Sequence, residues 1–217
     1  MNYSPHNLAR RYLYKIRNIY DIRKKISGMD NSISAGEGFL RKVSIAVEGN
    51  KNSIIVNKNA LVVDSRIRIR GSNHQLIIGE ESYIEGVNFF FEGSNCRIEM
   101  GHNSIAYSGV SVSAAENECS VAIGPHCLLA EGVDIRTTDS HPILDLSSKE
   151  RINPSRSIVI GRQVWLGKEC VVLKGVTIGA GSVIGLRSVV TGAIPPNCSA
   201  VGVPARVVRE NICWSFD

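Results

Sequence analysis

The most constraining feature of this chain is a six-residue repeat that runs from Ile160 to Pro195. Written in sixes, the segment reads IGRQVW, LGKECV, VLKGVT, IGAGSV, IGLRSV and VTGAIP. Each unit begins with an aliphatic residue and carries a small or aliphatic residue four places later. This period matches neither the 3.6 residues of an α-helix nor the two-residue alternation of an ordinary strand. It indicates a parallel β-helix, in which three sides, or about eighteen residues, close one coil and successive coils stack.

A slower repeat organises the first half of the chain. Similar segments begin at Gly49, Gly71 and Gly93, at a spacing of 22 residues, and a degenerate copy begins at Ala115. We interpret each unit as one coil with a turn inserted at the same corner. The β-helix is therefore predicted to cover residues 39–214. The strands expected in this half cover residues 53–56, 67–70, 76–78 and 97–100.

The aromatic residues of the first half are too bulky for a narrow interior column. Tyr83, Phe89, Phe90 and Phe91 fall inside the 22-residue units. Because a thin column admits only compact side chains, we expect most of these rings to point outward. They would then form a packing face or a subunit contact.

The six-residue rhythm is interrupted over residues 136–157. This segment, RTTDSHPILDLSSKERINPSRS, contains charges, two prolines and no sustained period. Loops of this length are uncommon in compact folds and are often functional. We expect it to leave the stack as an excursion loop.

The first 27 residues account for the net positive charge of the chain, which is +5 in total. Seven cations oppose Asp21 alone, a net of +6; they are Arg10, Arg11, Lys15, Arg17, Arg23, Lys24 and Lys25. Helical spacing is kept by Leu8, Tyr12, Ile16, Ile19, Tyr20, Arg23 and Ile26. The pattern predicts a basic amphipathic helix over residues 1–27 and a linker over residues 28–38. Either the helix caps the open end of the stack, or its cations hold an anionic glycan or the inner membrane surface. Nucleic-acid binding is not expected, because no recognised module accompanies the helix.

Composition favours a protein that works in a reducing compartment. The sequence has no run of about eighteen apolar residues, and its first residues lack the features of a signal peptide. Its six cysteines are scattered without a CxxC pair, so we expect reduced structural thiols and no metal site. The expected location is the cytoplasm, with membrane-peripheral attachment if the basic helix binds lipid.

One histidine stands out as a catalytic candidate. His141 lies in the stretch Thr-Thr-Asp-Ser-His-Pro, at the root of the excursion loop. Histidine exchanges a proton near neutral pH and is the commonest general base. The other four histidines, His6, His74, His102 and His126, are expected at the surface.

Three motifs together resemble one enzyme family. They are Asp-Ser-His-Pro, then Ile-Val-Ile-Gly-Arg-Gln-Val-Trp-Leu-Gly, then Ser-Val-Val-Thr-Gly-Ala-Ile-Pro-Pro-Asn with Gly-Val-Pro-Ala-Arg-Val-Val-Arg. Over residues 100–214 this order is similar to that of the acetyl-CoA-dependent hexapeptide acetyltransferases. It resembles the galactoside and maltose O-acetyltransferases, and more closely the bacterial O-acetyltransferases of capsule, polysialic acid and lipopolysaccharide. The resemblance implies an all-β, left-handed parallel β-helix that forms homotrimers with active sites between subunits. It also implies acetyl transfer to a hydroxyl of a surface glycan or its precursor.

The resemblance assigns roles to particular residues. His141 matches the general base that takes the proton of the acceptor hydroxyl, and Trp165 matches the tryptophan that lines the acceptor and thioester site. Coenzyme A binding is carried over to Gly167, Lys168, Leu186, Arg187, Thr191, Arg206 and Arg209. Gly192 departs from relatives that often have lysine there. Asp139 either orients the His141 imidazole or serves as an ordinary turn aspartate.

Other functions remain to be weighed against this one. An N-acetyltransferase that acts on a nucleotide-linked amino sugar stays open, because an amine nucleophile must also lose a proton. A carbonic anhydrase on the same solenoid would need a His-x4-His pair, which the sequence lacks. A serine acetyltransferase would carry a larger N-terminal helical domain.

Overall fold

The computed structural model describes residues 21–216, and in this range the chain is a parallel β-solenoid with three sides. The first side, sheet 1, contains β1 (Ile22–Ser27), β4 (Val43–Glu48), β7 (Arg66–Ser72), β10 (Asn88–Ser94), β13 (Ser111–Ala115), β16 (Asp134–Arg136), β19 (Val171–Val172) and β22 (Val189–Val190). Sheet 2 contains β2 (Ser32–Ser34), β5 (Ser53–Val56), β8 (Gln75–Ile78), β11 (Arg97–Met100), β14 (Ser120–Ile123), β17 (Ile158–Ile160) and β20 (Thr177–Ile178). Sheet 3 contains β3 (Phe39–Arg41), β6 (Leu61–Val63), β9 (Tyr83–Glu85), β12 (Ile105–Ala106), β15 (Leu128–Leu129), β18 (Trp165–Leu166), β21 (Val183–Ile184), β23 (Ser199–Gly202) and the antiparallel β24 (Ala205–Arg209).

Both sequence periods are confirmed by the strand register. In the first half Ile45 pairs with Ile67, which pairs with Phe89, so one coil takes 22 residues. In the second half Trp165 pairs with Val183, so one coil takes 18. The strand predictions at 53–56 and 97–100 match β5 and β11, and the other two differ from β7 and β8 only at their ends.

A ladder of hydrogen bonds at the corners explains why a small residue recurs four places after the aliphatic residue of each six-residue unit. The Ser82 hydroxyl donates to the Gly101 carbonyl at 3.0 Å and accepts the Ser104 backbone N–H at 3.3 Å. Ser104 repeats the arrangement one coil later, donating to Gly124 at 3.1 Å and accepting the backbone N–H of Cys127 at 3.1 Å. A compact side chain that donates and accepts satisfies backbone groups that would otherwise be buried without partners. Serine and cysteine therefore recur at this position.

The prediction that most of the four aromatic rings point outward is wrong for two of them, Phe89 and Phe91. Phe89 is 2% exposed and Phe91 is fully buried, both inside the column, and Phe90 between them is half-buried on the outer face. Each coil here has 22 residues instead of 18, and β7 and β10 have seven residues each, whereas β19 and β22 have two, so these coils accommodate aromatic rings inside. Tyr83 is also buried, in an outer cluster with Leu61, Val63 and Ile105.

The predicted N-terminal boundaries are also corrected. Residues 22–27, assigned above to a helix, form β1 and pair in parallel with β4. The predicted linker 28–38 contains β2, which pairs with β5. Within residues 21–216 the stack therefore already includes Ile22 rather than beginning at residue 39, because the edge of β4 takes another strand. Residues 1–20, the rest of the predicted helix, lie outside the described residues.

The corner between sheets 1 and 2 depends on glycine in the early coils. Gly49, Gly71 and Gly93 have φ values of 137°, 116° and 97°. A Cβ atom on Gly71 would collide with the carbonyl oxygen of Gly93. Only glycine allows this close stacking of corners.

The cysteines are free, as predicted, and five of the six are buried. Burial raises the pKa of the Cys127 thiol to about 11, so it stays protonated and donates to backbone carbonyls. His74 was expected at the surface, but the structure buries it at a corner, where only 1% of it is exposed. No helix in the described range is long and apolar enough to cross a bilayer.

Candidate active site

The excursion loop leaves the stack between β16 and β17, at the corner between sheets 1 and 2. His141 lies near its start and is exposed to solvent. Ser140, immediately before it, has a φ of 70°, a left-handed conformation that non-glycine residues adopt rarely and at a cost of about 1–3 kcal/mol. Its backbone N–H donates to the Thr138 hydroxyl at 3.0 Å, which holds this turn. The loop thus presents the imidazole on an exposed turn held by this hydrogen bond.

One buried amide ties the two flanks of His141 together. The Asn153 Nδ2 donates to the His141 carbonyl at 2.9 Å and to the Asp139 carboxylate at 2.9 Å. Its Oδ1 accepts the Ile143 backbone N–H at 2.6 Å and the Arg151 Nε at 3.2 Å. Asn153 is only 7% exposed.

The loop is anchored to the preceding coil through Glu116. The Arg151 guanidinium donates to both Glu116 carboxylate oxygens, at 2.8 and 2.7 Å, and the Thr138 hydroxyl donates to one of them. The hydrogen bonds from Arg151, assisted by that from Thr138, lower the pKa of Glu116 to about 2. Glu116 therefore stays charged throughout the physiological range.

Asp139 is engaged by groups other than the imidazole. Its carboxylate accepts hydrogen bonds from Lys174 and from Asn153, and these lower its pKa, with Lys174 the larger cause. Lys174 also donates to the Asn153 carbonyl at 3.0 Å, and its side chain is only 12% exposed. The contact between Asp139 and His141 is a backbone bond of 2.9 Å, from the His141 N–H to the Asp139 carbonyl. Of the two roles considered for Asp139, this geometry favours a turn and anchoring residue.

A cavity of about 170 Å³ opens beside the loop on the outer face of sheet 1. Its lining includes Phe90, Ser113, Arg136, Thr138 and Ser140. The Phe90 ring and the polar side chains around it form a surface that suits a sugar, which has apolar C–H faces and hydroxyl edges. Ser140, the residue before His141 in the chain, belongs to the lining, so the cavity lies beside the root of the excursion loop; His141 itself is not part of the lining.

Trp165 lies on a different side of the solenoid. It is 38% exposed on the outer face of sheet 3 and contacts Trp214 of the C-terminal tail, with ring centroids 5.9 Å apart. The Trp214 indole N–H donates to the Gln163 carbonyl at 2.7 Å, which holds the tail on this face. Within residues 21–216, no hydrogen bond or ring contact joins His141 to Trp165.

The residues assigned to coenzyme A fall in three places. Gly167 and Lys168 follow β18, and Leu186 and Arg187 follow β21, so these four stack at the corner between sheets 3 and 1. Two more, Arg206 and Arg209, lie on β24 at the end of sheet 3. Thr191 follows β22, at the corner between sheets 1 and 2. Lys168 pairs with Glu131 at 2.8 Å and Arg187 with Glu169 at 2.7 Å. Residues 21–216 contain no group of three or more side chains placed to hold a metal ion.

Four anchoring residues could not be identified from the sequence: Glu116, Arg151, Asn153 and Lys174. Arg151 and Glu116 are 35 positions apart, and so are Lys174 and Asp139, so that only the stacking of coils brings them together. One signal was present: the degenerate fourth copy, Ala115-Glu116-Asn117, has a carboxylate where the two preceding copies have Ser72 and Ser94.

Comparison with known proteins agrees with this architecture. The family described as bacterial transferase hexapeptide (six repeats) matches residues 157–192. A polysialic acid O-acetyltransferase of Neisseria meningitidis is 35% identical over 189 residues, which cover 86% of each chain.

Two solved structures extend the similarity to the whole solenoid. The polysialic acid O-acetyltransferase OatWY is 33% identical, with a TM-score of 0.85 over 89% of this chain and 92% of its own. The polysialic acid-specific acetyltransferase NeuO is 29% identical, with a TM-score of 0.82 over 90% of this chain and 89% of its own. This chain therefore belongs to the hexapeptide-repeat acetyltransferases, left-handed β-helix enzymes whose members include the polysialic acid O-acetyltransferases.

Proposed function

We propose that the protein transfers the acetyl group of acetyl-CoA to a hydroxyl of an anionic bacterial surface glycan. His141 is the general base of this proposal. The observation that carries it is the placement of His141 on an anchored loop beside a sugar-sized cavity. The polysialic acid relatives support the same acceptor class.

The chemistry is a direct transfer between two bound substrates. A neutral His141 imidazole takes the proton of the acceptor hydroxyl as its oxygen attacks the thioester carbon. Collapse of the tetrahedral adduct breaks the carbon–sulfur bond, and the imidazolium returns the proton to the departing thiolate. A positioned base contributes about a hundred- to ten-thousandfold to such a step, and holding both substrates together supplies much of the rest.

The charge on the outer face of sheet 1 supports an anionic acceptor. Reading across the strands, one register holds Lys25, Ala46, Arg68, Phe90, Ser113 and Arg136. Exposed Arg23 and Arg66 lie in the neighbouring register. In the described range, no carboxylate lies within 4.0 Å of Lys25, Arg66 or Arg68. Arg136 pairs with Asp134, and Glu92 and Glu116 also line the cavity, so the cations of this face without a carboxylate partner in the described range lie in the coils that precede the cavity.

The coenzyme A residues are consistent with a polyanionic donor. Arg206 and Arg209 are exposed and, among residues 21–216, have no carboxylate partner. The pairs of Lys168 with Glu131 and of Arg187 with Glu169 lie on the surface, where such pairs are worth about 0–1 kcal/mol. A phosphate could therefore recruit these cations at little cost.

A second copy of the chain completes the proposed site. His141 and Trp165 lie on different sides of the solenoid, so one chain does not bring the base and the indole together. The excursion loop also exposes Ile143, Leu144, Leu146 and Ile152. We infer a homotrimer in which the loop of one chain meets the tryptophan face of the next.

The experiment follows acetyl transfer to three acceptors under the same conditions. Polysialic acid, a neutral polysaccharide and a nucleotide-linked amino sugar are each incubated with acetyl-CoA, and the products are analysed by mass spectrometry. The proposal predicts base-labile esters on polysialic acid. Stable amides on the amino sugar would instead support the N-acetyltransferase alternative, and preference for the neutral polymer would contradict an anionic acceptor.

The acceptor surface can be tested with a matched pair of variants. Arg68→Gln removes a cation from the outer face of sheet 1, in the same register as Phe90. Arg97→Gln removes a cation from sheet 2. If one surface contact is worth about 1 kcal/mol, Arg68→Gln should raise the KM for polysialic acid roughly fivefold at low salt. The KM for acetyl-CoA should not change, and Arg97→Gln should alter neither. Equal effects of the two variants would contradict a defined acceptor surface.

A further inference from the structure

Every hydrogen-bonding group of the Asn153 side chain is used at the catalytic turn. Its amide nitrogen bonds the His141 carbonyl and the Asp139 carboxylate, and its oxygen accepts from Ile143 and Arg151. The contacts therefore fall before His141, on it and after it. An asparagine has two donors and an acceptor oxygen with two lone pairs, so this side chain is fully satisfied.

Asn153 is itself held from two directions. On the side of the preceding coil, Arg151 grips Glu116 with two hydrogen bonds of 2.8 and 2.7 Å. On the side of the following coil, Lys174 donates to the Asn153 carbonyl at 3.0 Å and to Asp139. The loop is thus fixed to the rigid stack above and below.

Glu116 connects the excursion loop to a corner of the preceding coil. It has a φ of 72° where that coil's neighbour has Gly93, with a φ of 97°, and positive φ values recur at the corners of this solenoid. From this corner its carboxylate reaches both Arg151 and Thr138. The loop is therefore tied to a fixed point of the stack.

We propose that Asn153 is the positioning residue for His141, and that Arg151 with Glu116 and Lys174 anchor it to the neighbouring coils. This inference rests on the proposed function, in which His141 is the base. Asn153 touches neither substrate. It fixes the backbone from which the imidazole projects, and a displacement of about 1 Å at such a group costs about a hundredfold in rate.

The kinetic test compares Asn153→Ala with Asp145→Ala. Asp145 lies in the same loop, and its carboxylate accepts three hydrogen bonds, from the Ser147 N–H and hydroxyl and from the Ser148 N–H. With polysialic acid as the acceptor, Asn153→Ala should lower kcat about a hundredfold and leave the KM for acetyl-CoA within twofold. Asp145→Ala should leave both within twofold.

A double-mutant cycle separates positioning from general loss of structure. If Asn153 acts through His141, Asn153→Ala should change the residual rate of a His141→Ala enzyme by less than twofold. An equal loss in both backgrounds would overturn the inference. Arg151→Met, which keeps Asn153 and removes one anchor, should fall between wild type and Asn153→Ala. This variant keeps the test informative if Asn153→Ala does not fold.

Hydrogen exchange provides a readout that does not depend on activity. Asn153→Ala should speed exchange at least tenfold in the peptide that contains Ile143, whereas Asp145→Ala should affect only the loop tip at 147–150. Unchanged exchange in Asn153→Ala would refute the proposal that Asn153 fixes the loop around His141. If the wild type transferred no acetyl group but Asn153→Ala still sped exchange, the role of Asn153 in fixing the loop would be upheld and the proposed function refuted.

Discussion

Replacing Phe91 with alanine tests the packing of the half of the solenoid that has 22-residue coils. Phe91 is fully buried and pairs across the sheet with Ile69 on one side and Ala114 on the other. Phenylalanine-to-alanine changes in cores cost about 3–5 kcal/mol, depending on how far the site can collapse. The strands on both sides are held by their ladder hydrogen bonds, and Ala114 is too small to fill the gap. We therefore expect a loss of about 4 kcal/mol, and a melting temperature lower by roughly 8–16 °C.

Phe90 is the matched control because it is the same residue type, one position away, on the outer face. Phe90→Ala should cost about 1 kcal/mol in stability, since a half-buried ring loses less apolar contact. It should raise the KM for the glycan, because Phe90 lines the cavity beside the root of the excursion loop. Urea unfolding and acceptor kinetics measure the two effects. The reasoning would be refuted if Phe90→Ala destabilised the protein more than Phe91→Ala, or if Phe91→Ala lost less than about 1 kcal/mol.

Three further predictions concern pH, the N-terminal segment and assembly. Burial lowers the pKa of His74 from 6.5, so the unfolded chain binds the proton first and stability should fall as the pH drops below about 6.5. His74→Asn introduces the residue that the preceding coil has at Asn52. In urea unfolding, its free energy of unfolding should differ less between pH 7.5 and pH 5.5 than that of the wild type; an equal difference would contradict this. Deleting residues 1–20 should raise the KM for the glycan and flatten its salt dependence if the segment steers the acceptor; a lower melting temperature with unaltered kinetics would support capping instead. Light scattering should give the mass of three chains of 23.6 kDa each, and a monomer mass would contradict the shared site.

The stacking of coils could be predicted from the sequence, because a repeated unit repeats its contacts. The accommodation of aromatic rings inside the early coils could not, since it depends on the length of the sheet 1 strands. Phe89 and Phe91 were misplaced for this reason. At the N-terminus, Ile22 and Ile26 fit a helix and a strand alike, and only pairing with Val43–Glu48 decides between them.

The candidate site was predicted in part. His141 could be identified because its motif is local and sits where the rhythm breaks. The residues that hold it could not, because their contacts cross from one coil to another. Asn153 is closer to His141 in sequence, only twelve positions away, but no periodic pattern marks an asparagine in an irregular loop.

The most direct test of the central claim is the acetyl-transfer rate of His141→Ala. The residue is exposed on a loop, so its removal opens no core cavity, and the melting temperature should be unchanged. Acetyl-CoA should bind with unaltered affinity, because the residues assigned to coenzyme A lie elsewhere. Turnover should fall by about two to four orders of magnitude, the usual contribution of a general base. A folded His141→Ala protein that keeps more than about a tenth of wild-type turnover would contradict the assignment of His141 as the base.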